Sequence, residues 1–163
     1  MSRRWMAALL AALTVLSLCG CGGKKQETVP LTGLRGAMTD AAPSLPEMKS
    51  VSDEDADAAG LFAYLSDLDY GKVEHFFLSY SAKGLADEIA VIALKDPADA
   101  DAASASLRHH LKERSQMYGQ YQPDQLKRVQ DAQLFTQDQY VVLIVCDEAD
   151  AVKDAFMKIT AAG

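Results

Sequence analysis

The hydrophobic and polar positions of this chain follow two regimes. From Val51 onward, apolar residues recur at spacings that specify regular elements. Leu61–Leu65 is a short apolar segment of one or two helical turns. Val73–Tyr80 reads as a strand, Ala82-Lys83-Gly84 as a turn, and Glu88–Lys95 as a second strand. The second strand is apolar on both faces, which places it at the centre of a sheet. Asp96-Pro97 opens a long helix, with Asp as N-cap and Pro at the first helical position, running to about Tyr121. A short turn is expected at Pro123–Lys127. Val129–Thr136 and Gln139–Cys146 make a second hairpin, and Asp147 caps a last helix to about Ile159.

The order is strand-strand-helix, twice. This is an α+β domain: a mostly antiparallel sheet of about four strands with two helices on one face. A shift of 51 residues aligns Asp87–Ala105 with Asp138–Phe156 and gives six identities in nineteen positions. Ala and Asp are abundant, so any strand followed by a capped helix would produce some of these matches.

Before Val51 the pattern is different. Met6 to Leu18 is an uncharged run preceded by Arg3 and Arg4. It has the layout of an export signal and is shorter than the roughly 20 residues of a spanning helix. It ends in Leu18-Cys19-Gly20-Cys21, the arrangement of a bacterial lipobox. Cys21 is the expected lipidation site, because cleavage before Cys19 would place bulky Leu18 where a small residue is required. Residues 1–20 are then the signal peptide. Two or three acyl chains hold a protein far more firmly than one, which predicts anchoring on the outer face of the cytoplasmic membrane. Gly22 to about Ser50 contains several Gly and Pro and no sustained period, so residues 21–50 read as the lipidated Cys plus a flexible tether. A single domain follows over 51–163.

Composition narrows the chemistry. The chain carries 16 basic and 23 acidic residues, a net charge of −7. Loss of Arg3 and Arg4 leaves the mature form at −9, poorly suited to nucleic acid and repelled by an anionic membrane surface. Of three Cys, Cys19 leaves with the signal and Cys21 is acylated, so Cys146 has no disulfide partner. Cys146 ends an apolar strand and reads as a small buried hydrophobe. His109 and Glu113 share a helix face, but two ligands do not make a metal site. Both His109 and His110 read as helix-surface residues, His110 edging the apolar face. Asp53-Glu54-Asp55-Ala56-Asp57 begins like a calcium loop and then fails, with Ala58 and Tyr64 at the positions that need Gly and Glu. There is no nucleophile elbow, Ser-x-x-Lys pair or phosphate loop. No catalytic residue, metal or cofactor is expected. Glu74 and Glu88 are a conceivable carboxylate pair across the first hairpin.

The long helix carries one irregularity. Ala103, Leu107, Leu111, Tyr118 and Tyr121 fall within about a 90° stripe, and Arg114 sits near its middle. A charge there must snorkel or find a partner, and Tyr118 is available for stacking. Two readings stay open: an Arg paired to an acidic side chain or a strand-end carbonyl, or an Arg in a groove for an anionic ligand. Glu88, Arg114 and Tyr118 are the candidate groove residues.

Together the lipobox, the Tyr70-Gly71-Lys72-Val73-Glu74 segment, Ala86-Asp87-Glu88-Ile89-Ala90-Val91-Ile92, the helix with Arg114 and Tyr121, and Gln139-Tyr140-Val141-Val142-Leu143-Ile144 resemble a known family. It is the uncharacterised bacterial lipoprotein family numbered 4358 in the domain-of-unknown-function series, over roughly residues 55–160. Its members are typically small lipoproteins of Gram-positive anaerobes. The resemblance implies an address and a fold but no reaction. It also puts Arg114 and Glu88 forward. The expected function is a non-enzymatic binding or assembly module at the cell envelope, with an unknown envelope protein or ligand as partner. A small envelope hydrolase using carboxylates is the alternative.

Overall fold

The computed structural model describes residues 30–162. The expected signal peptide, with the lipobox-like segment and Cys21, lies outside the described residues. The two apolar hairpins form as their alternation dictates. Strands β2 (Val73–Ser81) and β3 (Glu88–Leu94) pair, as do β4 (Gln133–Gln137) and β5 (Tyr140–Val145). β3 and β5 then pair with each other, and β1 (Met48–Ser52) adds to the outer edge of β2. The sheet is antiparallel throughout, in the order β1-β2-β3-β5-β4. The fold is α+β, with five strands and several helices among the described residues.

The helices cover both faces of this sheet, not one. Ala90, Ile92, Leu94, Val141, Leu143 and Val145 face α3 (Ala100–Tyr121), together with α2 (Ala58–Phe62) and α4 (Pro123–Gln130). Ile89, Val91, Ala93, Val142 and Ile144 face α1 (Leu31–Asp40) and α5 (Ala149–Thr160). All of these strand positions are almost fully buried. A strand apolar on both sides needs a cover on both sides, and one layer of helices leaves the other face wet.

This arrangement bears on the 51-residue repeat. Val91 pairs directly with Val142, the residue that the shift equates with it. The two hairpins are thus related by a local two-fold axis normal to the sheet. Such an axis preserves faces, yet α3 and α5 pack on opposite ones. The symmetry stops at the strands.

The stretch read as a tether also needs correction. Leu31–Asp40 is a helix, with Leu34 and Met38 completely buried against α5 and the sheet, and Met48–Ser52 is a strand. The domain therefore begins about twenty residues earlier than the pattern suggested. The start of α3 follows expectation. The Asp96 side chain accepts from Ala98 N–H at 2.9 Å, and Pro97 begins a short 3-10 turn leading into α3. Val129 belongs to α4 instead of a strand. Asp147 caps nothing; its carboxylate turns to Arg128.

Candidate functional site

A groove of about 450 Å³ opens on the α3 face, within the range that binds small molecules or partner side chains. Its floor is the sheet: Val51 on β1, Leu78 and Tyr80 on β2, Glu88 on β3. Leu61 and Tyr64 form one wall, and His110 and Arg114 of α3 form the other. The wall beside α2 is held in place by serines. Ser66 and Ser106 share a buried hydrogen bond of 2.8 Å, and Asp67 N–H donates to Ser106 Oγ at 2.9 Å. These bonds fix the segment after α2 against α3.

Strand alternation explains why a carboxylate lies here. Glu88 shares its face with Ala90, Ile92 and Leu94, so its side chain points toward α3 and is 2% exposed. Two side chains answer it from successive turns of the helix. Arg114 Nη1 lies 3.0 Å from Oε2, and His110 Nε2 lies 2.8 Å from Oε1. Arg114 Nη2 also donates to the Ala86 carbonyl at 3.0 Å, and the guanidinium carbon stands 5.3 Å from the Tyr118 ring centre. Its Nε is buried without a hydrogen-bond partner. Tyr118 donates to the carbonyls of Leu85 (2.8 Å) and Gly84 (3.2 Å). Burial pushes the Tyr118 phenol up, with Arg114 opposing, so it stays a donor.

The structure brings together Glu88, Arg114 and Tyr118 and gives Arg114 the partners of the first reading. It is paired to an acidic side chain and a strand-end carbonyl, and stacked on Tyr118. Its Nη groups bond Glu88 and the Ala86 carbonyl, and its side chain lines the groove. His110 sits deeper than the edge of the apolar face where sequence reasoning puts it. It is largely buried, its imidazole anchored on Glu88. Its position four residues before Arg114, on the same face, was the available signal. His109 does remain on the surface, 4.0 Å from Glu113. Glu74 and Glu88 do not meet: Glu88 pairs with Tyr80, near the other end of β2 from Glu74. Among the described residues no group of three or more His, Cys, Asp or Glu could hold a metal ion.

A second charged cluster went unnoticed in the sequence. Arg128 on α4 bonds Asp87 at 3.0 Å through Nη1 and Asp147 at 2.7 Å through Nη2. Asp87 and Asp147 flank the paired ends of β3 and β5, so the guanidinium ties the two hairpins together. Burial pushes the Asp87 carboxyl up, and Arg128 opposes this. Cys146 is buried at the end of β5, and burial pushes its thiol up to about 11. An unreactive thiol fits the small-hydrophobe reading.

Among the described residues no helix is long and apolar enough to cross a membrane. No curated protein and no solved structure matches this chain. One family profile does, over residues 45–146, a range that holds the five strands, the three helices of the α3 face and every residue lining the groove. The chain belongs to the family described as a domain of unknown function, DUF4358.

Proposed function

We propose that this protein is a non-enzymatic binding module of the cell envelope, anchored through acyl chains on Cys21 to the outer face of the cytoplasmic membrane, with its ligand seated in the groove between α2 and α3. The observation that carries the binding reading is the state of the groove's base. Both oxygens of Glu88 are engaged, one by Arg114 and one by His110, in a floor shared with Val51, Leu78 and Tyr80 and walled on one side by Leu61 and Tyr64. A carboxylate with both oxygens already committed is a poor nucleophile or general base. An apolar cleft with an internally neutralised floor suits recognition of an apolar group. The anchor rests on the lipobox. From Cys21 to Pro30 is nine residues, at most about 32 Å of chain, so such an anchor would keep the domain close to the bilayer.

The alternative, a small envelope hydrolase, draws on the Glu88–His110 bond, since a buried carboxylate orienting an imidazole is a general-base arrangement. Radical footprinting of Tyr64 tests the proposal. Tyr64 is 77% exposed in the free protein. It should be protected in native membranes, in the wild type and in His110→Gln, and become labelled on purification. Equal labelling in membranes and in the purified protein would sink the binding reading. Turnover of cell-wall or peptide substrates, lost in His110→Gln, would favour the hydrolase. Acyl mass on Cys21, and release to the soluble fraction in Cys21→Ala, tests the anchor separately.

A further inference from the structure

The apolar character of the groove continues past its end. Among the described residues, four large hydrophobic side chains stand out as exposed: Tyr64, Met117, Tyr121 and Met157. Tyr64 is a groove wall. At about 100° per residue, His110, Arg114, Met117 and Tyr121 fall within roughly 60° of arc on α3. Met117 and Tyr121 therefore extend the wall that His110 and Arg114 begin. From residue 110 to 121 the helix rises about 16 Å, so groove and ridge together form an elongated apolar track with three of the four exposed hydrophobics along it. Surface of this kind marks a contact with another molecule.

The chemistry of the track selects its occupant. Its buried charges cancel, Glu88 against Arg114, so it complements an uncharged, apolar surface. Although β1 is an edge strand, the groove's floor is the face of the sheet, where backbone groups pair across β1, β2 and β3. An extended peptide lying there would find no backbone partners for its amides and carbonyls. A helix satisfies its own backbone and brings only side chains. Deepening the binding reading on which it rests, we infer that the track docks the apolar face of an amphipathic helix from another envelope protein. One large side chain enters the groove between Leu61 and His110, and the following turns run over Met117 and Tyr121.

Photo-crosslinking in intact cells, on the full-length chain, tests this. A photoreactive residue is placed at Tyr64, at Tyr121 and, as a control on α5, at Met157. The expected result is one and the same heterologous adduct from Tyr64 and Tyr121, and none from Met157. The crosslinked peptides should map to a single segment with apolar residues at i, i+3 or i+4, and i+7. Leu61→Asp in the groove and Met117→Asp on the surface ridge should each reduce the adduct at least tenfold. The second variant keeps the test valid if the first fails to fold. An adduct of twice the chain's own mass means a second copy and overturns the proposal. Adducts to lipid or to a charged extended segment overturn it as well. No protein adduct while Tyr64 stays protected in membranes identifies a small-molecule occupant, which overturns the helix and leaves the binding reading standing. An unprotected Tyr64 removes both.

Discussion

Arg114 Nη1 stands 3.0 Å from Glu88 Oε2, in a place where neither charge can be left alone. The side chains are 17% and 2% exposed, so water cannot take over for a missing partner. Removing one member of a buried pair typically costs about 3–5 kcal/mol, whereas replacing both with apolar residues of similar volume is close to neutral. Arg114→Met should therefore lower stability by about that amount, and Glu88→Met/Arg114→Met should recover most of it. Arg114→Lys should recover little, because an ammonium cannot span Glu88 and the Ala86 carbonyl as the planar fork does. Urea midpoints at pH 7 decide the matter. A single Arg114→Met variant of wild-type stability would mean that the pair is dispensable to the fold.

The Asp87–Arg128–Asp147 cluster separates buried from exposed pairing within one guanidinium. Asp147 is 63% exposed and Asp87 is 4% exposed. Asp147→Ala should cost under about 1 kcal/mol, as exposed pairs do. Arg128→Met should cost several times more by stranding Asp87. The pH trend carries a sign of its own. Burial raises the Asp87 pKa above 3.8 despite Arg128, so between those values the folded state holds more protons than the unfolded. The Asp87 contribution then grows as pH falls through its raised pKa, and is smallest at neutral pH. Asp87→Asn should remove that component from stability measured between pH 3 and 7.

Cys146 should behave as a buried thiol of high pKa. With its pKa at about 11 against an ordinary value near 9, the native protein should resist alkylation by iodoacetamide at pH 8. The same residue should react fully in denaturant. The unfolded thiol ionises first on raising the pH, so stability should fall between pH 9 and 11, by on the order of 2 kcal/mol. Cys146→Ala should flatten that fall. Rapid native alkylation would show that the end of β5 opens readily.

How far the sequence could be read depended on how strongly each segment is patterned. β2, β3 and β5 combine apolar runs with turns at Gly84 and around Asp138, and they emerged close to their true bounds. The capped start of α3 was equally plain, because Asp96-Pro97 does locally what it does in isolation. Placing α5 on the second face needed more than local signals. Only the pairing of β3 with β5, two strands apolar on both sides, creates the second surface that a helix must cover. The site was half visible. Arg114 on an apolar stripe asks for a partner, and the Glu88 register supplies one across 26 residues of chain. The pattern puts His110 only at the edge of the apolar face, and its bond to Glu88 shows once the helix is packed. Arg128 gave no signal, since α4 is short and polar and its role comes from the strand ends that it meets.

The helix that went unread gives the last prediction. α1 offers only Leu31, Leu34 and Met38 at helical spacing, interrupted by Gly33 and Gly36, with no side-chain cap at its start. Glycine inside a helix costs about 1 kcal/mol relative to Ala, so α1 holds its form through packing and not propensity. Leu34 and Met38 are 0% exposed beneath α5 and the sheet. Leu34→Ala and Met38→Ala should each cost about 2–5 kcal/mol, which no mutation in a tether would do. Gly33→Ala and Gly36→Ala should add stability, since a Cβ at either position meets nothing within 4 Å. Thermal unfolding of the four variants reads both signs at once. Four silent substitutions would return residues 31–40 to the role of a leash, and would leave Val91, Val142 and Ile144 covered on that face by α5 alone.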